Sequence, residues 1–165
     1  MSKKISRVDK YQASADDVWE LLQSREYVDA KYQALGDIST DVQRFEPADS
    51  KIALKVQRIV PADLPEFAKK ILGDTNKIVQ TEGWTARGGQ YTCDLLIEFP
   101  GKPLKVTGVL EIKPTGDATS DWVVNMDVKA SVPLVGGKLE DVVKKETLAS
   151  LDNEYAFNQE WLASH

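Results

Sequence analysis

Three charged residues of this chain fall among apolar positions. Arg58 and Glu82 are in phase with the apolar sides of two predicted strands, and Glu146 lies in the apolar arc of a predicted C-terminal helix. Burying an unpaired charge costs several kcal/mol, so each side chain must pair, reach water or contact a ligand. Three interpretations stay open: a structural one, as an ion pair at a cavity mouth or an end-of-strand residue that reaches solvent, a polar anchor for an amphipathic ligand, or a carboxylate acting as general acid or base.

A second polar feature lies along the same C-terminal helix. Glu146 and Asn153 are two helical turns apart, which places them on one line of the helix about 10.5 Å apart. A helix that only filled a core would carry apolar side chains there. We therefore expect water, Arg58 or the polar group of a ligand to meet the middle of the helix.

Metal and nucleophilic chemistry lack their usual residues. His165 is the only histidine and Cys93 the only cysteine, which excludes the clustered ligands of a zinc site and the Ser-His-acid and Cys-His devices of hydrolases. Cys93 is on the inward side of a predicted strand, where we expect a core residue. The Gly136-Gly137-Lys138 string lacks the other residues of a phosphate loop. We assign no catalytic residue, no metal ligand and no cofactor.

Inward aromatic side chains either stack a flat ligand or fill the core. Trp161 is one of them, and four others join the polar residues and a methionine in the predicted ligand-binding set. That set is Arg58, Glu82, Trp84, Phe99, Trp122, Met126, Glu146, Asn153 and Phe157.

The elements that must position these residues are mainly strands. Apolar and polar residues alternate from Lys51 to Val60 and in four later runs, with weaker strands at Lys4 to Tyr11 and Val42 to Phe45. One-sided alternation in successive runs predicts an antiparallel meander of about seven strands with one covered face. Placing Trp84 inward in its strand also takes Gln80 and Glu82 inward.

Helical spacing and capping residues predict four helices. They begin after Ser14, run from Tyr27 to Leu35 and from Asp63 to Leu72, and end with a long helix from about Lys138 to Leu162. The third, with Asp63 as its N-cap, either moves to admit a ligand or packs permanently on the sheet edge. We expect the strand residues Leu54, Val56, Leu95, Ile97, Val106, Leu110, Val124 and Val128 to be buried against Leu139, Val142, Val143 and Phe157.

This order of elements resembles the START-like, pollen-allergen-like (SRPBCC) superfamily. Local strings resemble an uncharacterised bacterial family within it: Val60-Pro61-Ala62-Asp63-Leu64-Pro65, Thr81-Glu82-Gly83-Trp84, the segment from Val132 to Glu140, and Trp161-Leu162. The resemblance implies an α+β helix-grip fold, in which a curved antiparallel sheet wraps a long C-terminal helix around a cavity. It transfers no catalytic residue.

The amino-acid composition limits the number of domains, the kinds of partner and the location that we expect for the protein. The chain has 165 residues, 42% hydrophobic and 28% charged, with a net charge of −5. These values predict one folded domain over residues 1–165 and disfavour nucleic-acid binding. The absence of an apolar signal or membrane segment predicts a cytoplasmic protein without integral membrane association.

The favoured function is non-catalytic binding or transport of a small hydrophobic or amphipathic molecule, which would be its partner. The alternatives are a cyclase- or hydrolase-like enzyme of the same superfamily, and a protein-interaction adaptor with a filled core. A cavity of roughly 300 Å³ or more would favour binding or catalysis over the adaptor.

Overall fold

The computed structural model describes residues 2–165, which form seven strands and four helices. The strands are β1 (Lys3–Tyr11), β2 (Ser39–Pro47), β3 (Lys51–Pro61), β4 (Thr75–Arg87), β5 (Gln90–Glu98), β6 (Leu104–Gly116) and β7 (Thr119–Ala130), and the helices are α1 (Ala15–Leu22), α2 (Arg25–Ala34), α3 (Glu66–Leu72) and α4 (Gly136–Ser164). All neighbouring strands are antiparallel, in the order β1-β7-β6-β5-β4-β3-β2. The predicted α+β helix-grip fold, a curved sheet with a long C-terminal helix, is confirmed.

The alternation of the sequence determines which face of the sheet is covered. Lys55 and Asn125 are exposed, whereas the strand residues beside them in sequence are buried. Of the eight predicted inward strand residues only Ile97 is half-buried, and the others are buried: Leu54, Val56, Leu95, Val106, Leu110, Val124 and Val128. The strand phase is confirmed, including the inward positions of Glu82 and Trp84 on β4.

Two serines begin the first two helices. Ser14 Oγ accepts a hydrogen bond from the Asp17 amide at 3.1 Å, and Ser24 Oγ accepts one from the Tyr27 amide at 3.2 Å. Each bond satisfies an amide that has no partner inside its helix. The first cap is as predicted, and the second begins α2 at Arg25, two residues before the predicted start.

The short helix α3 begins later than predicted. Its N-cap is Pro65, without a side-chain cap, and it ends at Gly73 with a φ of +87°. The predicted cap residue Asp63 lies in the preceding loop. The Asp63 cap is wrong because the chain stays extended through Pro65, whose ring disfavours helical geometry in the residue before it.

The long helix α4 buries only part of the predicted face. Glu146, Ala149 and Asn153 are exposed, and Phe157 and Val142 are only half-buried. The buried residues are Gly136, Leu139, Glu140, Val143, Leu151 and Asn158. Leu139 and Val143 are thus buried as predicted, and the rest of the buried face is rotated away from Val142 and Phe157, toward Leu151 and Asn158.

Hydrogen bonds of two buried polar residues, Glu140 and Asn158, explain why α4 buries this face. Glu140 Oε2 accepts a hydrogen bond from the amide of Ala130 at 2.9 Å, at the end of β7. Asn158 accepts a hydrogen bond from Tyr27 Oη at 2.6 Å and donates one to Tyr11 Oη at 3.1 Å. These bonds satisfy polar groups that the apolar pattern had assigned to water. Across residues 2–165, no helix is long and apolar enough to cross a membrane.

Candidate functional site

A cavity of about 390 Å³ lies between the covered face of the sheet, the loop before α3 and the middle of α4. Strands β3 to β7 supply one wall, and α4 supplies the opposite one. Its apolar lining includes Leu35, Val60, Leu64, Leu72, Ile78, Leu95, Ile97, Phe99, Val106, Leu110, Trp122, Met126, Val143 and Leu151. Apolar walls of this extent suit the body of a small organic molecule.

Four polar side chains form a continuous patch on this lining, which we call the polar wall: Tyr32, Arg58, Gln80 and Glu82. Arg58 Nη1 donates to Gln80 Oε1 at 3.3 Å, and Gln80 Nε2 donates to Glu82 Oε2 at 2.7 Å. The Arg58 guanidinium carbon lies 4.5 Å from the centre of the Tyr32 ring. β3, β4 and α2 therefore each contribute to the patch.

Arg58 is held by an ion pair. Its Nε donates to Asp37 Oδ2 at 2.8 Å and its Nη2 donates to Asp37 Oδ1 at 2.7 Å. Both side chains are largely buried, and a two-point pair of this kind fixes the guanidinium plane. The ion-pair interpretation is confirmed for Arg58, which still reaches the cavity.

Glu82 is buried without a cation beside it. Its Oε1 accepts from Trp84 Nε1 at 2.9 Å, and its Oε2 accepts from Gln80 as described above. Within residues 2–165 it forms no salt bridge. Neighbouring N–H donors therefore stabilise this carboxylate, which keeps spare acceptor capacity.

Tyr32 has a buried hydroxyl without a protein partner. The side chain is 1% exposed, and its Oη is the only buried side-chain polar atom of residues 2–165 that lacks a hydrogen bond. Burial raises the pKa of Tyr32 to about 12, so the hydroxyl keeps its proton at neutral pH. A neutral phenol can both donate and accept a hydrogen bond, and the Tyr32 side chain belongs to the lining of the cavity.

The exposed residues Glu146 and Asn153 lie at the rim of the cavity on α4. Water or a ligand can meet this line of α4, as expected, whereas Arg58 pairs with Asp37 instead. Glu146 and Asn153 line the same cavity as Arg58 and Glu82, as do Phe99, Trp122 and Met126. Seven of the nine predicted site residues are thus brought together.

Trp84 and Phe157 do not line the cavity. The Trp84 ring packs edge-on against Trp19 and Trp122, with centroids 6.3 and 5.5 Å apart. The Phe157 ring lies 5.9 Å from Tyr27 and 5.8 Å from Trp161. Both rings belong to aromatic clusters of the core. The prediction that Trp84 and Phe157 line the ligand site is therefore corrected.

Sequence reasoning missed Tyr32 and the ion pair behind it. Lys31 is 4% exposed, with its Nζ 3.7 Å from Glu154 Oε1 and 4.7 Å from the centre of the Tyr32 ring. The available signal was the helical spacing of Tyr27, Val28 and Lys31, which places a lysine on the buried face of α2. A lysine there requires a partner.

Cys93 and possible clusters of metal ligands are the remaining groups with a potential for chemistry. Cys93 is fully buried, and burial raises the pKa of its thiol, which makes it a core residue as expected. Within residues 2–165 no group of three or more His, Cys, Asp or Glu side chains could hold a metal ion.

Comparison with known proteins supports the fold. A family model described as "Protein of unknown function (DUF2505)" matches residues 8–162. No curated protein gives a significant match. The chain is similar to a solved structure from Thermus thermophilus, with a TM-score of 0.68, 15% identity and 98% of each chain covered. It is also similar to the Zhui aromatase/cyclase of a Streptomyces species, with a TM-score of 0.66, 11% identity and 99% and 94% coverage of the two chains.

A START superfamily protein from Mycobacterium smegmatis is similar as well, with a TM-score of 0.55 and 17% identity over 96% of this chain and 98% of that one. At these identities the likeness shows the fold alone. The START-like fold expected from the sequence is confirmed.

Proposed function

The chain belongs to the family of proteins of unknown function DUF2505, and we propose that it binds a small hydrophobic or amphipathic molecule in the cavity between its sheet and α4. The observation that carries the proposal is the cavity itself, which Tyr32 lines with a side chain whose buried hydroxyl has no protein partner. An unpaired buried hydroxyl costs about 1–3 kcal/mol, and a ligand group that pairs with it removes this cost.

The volume and the lining of the cavity also support the binding of a small molecule. A volume of about 390 Å³ lies within the range of small-molecule sites, roughly 300–1,000 Å³. An adaptor with a filled core would lack such a space. The apolar lining would hold the ligand body, and the polar wall would orient its polar group.

The proposal is one of binding or transport without catalysis. Asp37 holds the Arg58 guanidinium at two points, and both oxygens of Glu82 accept hydrogen bonds from neighbouring side chains. Such engaged groups suit recognition more than proton transfer. The aromatase/cyclase shares the fold at 11% identity, which carries no reaction to this chain.

A pair of variants on one strand tests the proposal. Val106 is 1% exposed and lines the cavity, whereas Val109 is 38% exposed on the opposite face of β6. Val106→Phe fills cavity volume, so we expect it to weaken binding of 1-decanol by about ten-fold or more. Isothermal titration calorimetry measures the affinity, with circular dichroism to confirm folding.

Val109→Phe is the control and should bind 1-decanol like the wild type. The absence of saturable binding to the wild type, or equal affinities for the two variants, would contradict a ligand site in this cavity.

A further inference from the structure

The ionised side chains on the cavity are mostly acidic. One cation lines it, Arg58, against four carboxylates: Asp63, Glu82, Glu146 and Glu154. Asp37 already neutralises the Arg58 guanidinium through the two-point ion pair. The single positive charge on the lining is therefore not free for a ligand.

Only Glu154 of the four carboxylates has a cation within salt-bridge distance, although the charge of Lys31 also acts on Glu82. Lys31 pairs with Glu154 at 3.7 Å, whereas in the described part of the chain Asp63, Glu82 and Glu146 form no salt bridge. Asp63 and Glu146 are exposed, so of these three only Glu82 lies within low-dielectric walls, where a negative charge attracts a cation and repels a carboxylate. The charge of the cavity thus selects the charge of its ligand.

Two groups of the polar wall can receive the hydrogen-bond donors of a cation. Glu82 accepts two hydrogen bonds, which leaves further lone pairs on its carboxylate. Tyr32 Oη, in a side chain that is 1% exposed, has no partner and can accept as well as donate. A primary ammonium carries three donors and needs such acceptors to compensate for its loss of water.

We propose that the ligand is a cationic amphiphile whose protonated amine meets Glu82 and Tyr32 while its apolar body fills the cavity. This inference rests on the proposed function. The acidic rim residue Glu146 would draw the amine toward the opening before it reaches Glu82.

Three probes with the same alkyl chain and different head groups test the inference. We expect decylammonium to bind the wild type about ten-fold or more tightly than decanoate at pH 7, with 1-decanol between them. Titration calorimetry below the critical micelle concentrations gives the three affinities. The alkyl chain is constant, so the differences report the head group.

Variants assign the preference to residues. Glu82→Gln should weaken decylammonium binding by about ten-fold or more, strengthen decanoate binding, and change 1-decanol binding by less than about two-fold. Glu146→Gln, at an exposed position where folding is not at risk, should change the affinities in the same directions by a smaller factor. Glu160→Gln is the control, because Glu160 is exposed on α4 and does not line the cavity.

The outcomes separate the two proposals. Equal affinities for decylammonium and decanoate, or tighter binding of decanoate, would overturn the cationic preference and leave the binding function standing. A failure of all three probes to bind would overturn both. A wild-type preference that survives in Glu82→Gln and Glu146→Gln would overturn the assignment to these carboxylates.

Discussion

The buried polar side chains around the cavity differ in how completely the protein satisfies them. Tyr27 Oη donates to Asn158 at 2.6 Å, whereas Tyr32 Oη, five residues later on the same helix, has no protein partner. Both side chains are almost fully buried. This contrast separates a hydroxyl that is bonded within the fold from one that the protein leaves without a partner.

Replacing each hydroxyl with hydrogen should therefore have different effects. Tyr32→Phe removes no protein hydrogen bond and removes a buried hydroxyl without a partner, so we expect the free energy of unfolding to rise by about 1–3 kcal/mol while 1-decanol binds more weakly. Tyr27→Phe leaves Asn158 Oδ1 without its donor, so it should lower that free energy by about 1–3 kcal/mol. Urea denaturation measures both. A larger loss in Tyr32→Phe than in Tyr27→Phe would contradict this division of roles.

The sequence reveals some of these residues and conceals others for physical reasons. Glu82 is predictable because strand alternation leaves two choices of phase, and Trp84 selects one of them. Tyr32 is not, because a tyrosine on the buried face of a helix resembles ordinary core. Whether its hydroxyl finds a partner depends on the positions of Arg58 on β3 and Gln80 on β4. The sequence pattern of α2 contains no information about those positions.

At the scale of elements, strand phase is predicted better than helix phase. A strand has only two faces, so an error of one residue in its phase moves every side chain to the opposite face of the sheet. Such an error would conflict with the whole alternation of apolar and polar residues. α4 carries two apolar stripes, one with Leu139, Val142 and Phe157 and the other with Leu148, Leu151 and Tyr155. The buried face of the helix lies between them because Glu140 and Asn158 form hydrogen bonds there. Those partners lie on β7, β1 and α2, so α4's own sequence could not reveal them.

The short helix α3 borders the cavity, and we predict that it moves to admit a ligand. It has seven residues and no side-chain N-cap, and its buried Leu72 lines the cavity. Isolated helices this short are marginal. We expect the amides of residues 68–72 to exchange with deuterium faster than those of β6, and to slow when 1-decanol is bound. Hydrogen-exchange mass spectrometry would contradict a moving lid if both segments were equally protected with and without the probe.

At the scale of the whole molecule, topology follows from the order of the elements but the cavity does not. Consecutive strands with one apolar face lead to an antiparallel meander, and a long amphipathic helix must cover it. Whether this cover leaves empty space depends on small differences in packing, such as the rotation of α4. The volume of about 390 Å³ is therefore a result of the structure and not of the sequence pattern.

The most direct test of the central claim is native mass spectrometry of the protein purified from the organism that encodes it. The account predicts a small molecule bound one to one in the wild type, retained in Val109→Phe and lost from Val106→Phe purified in the same way. A wild-type protein without any bound small molecule, or a bound molecule that Val106→Phe retains equally, would contradict a ligand site between the sheet and α4.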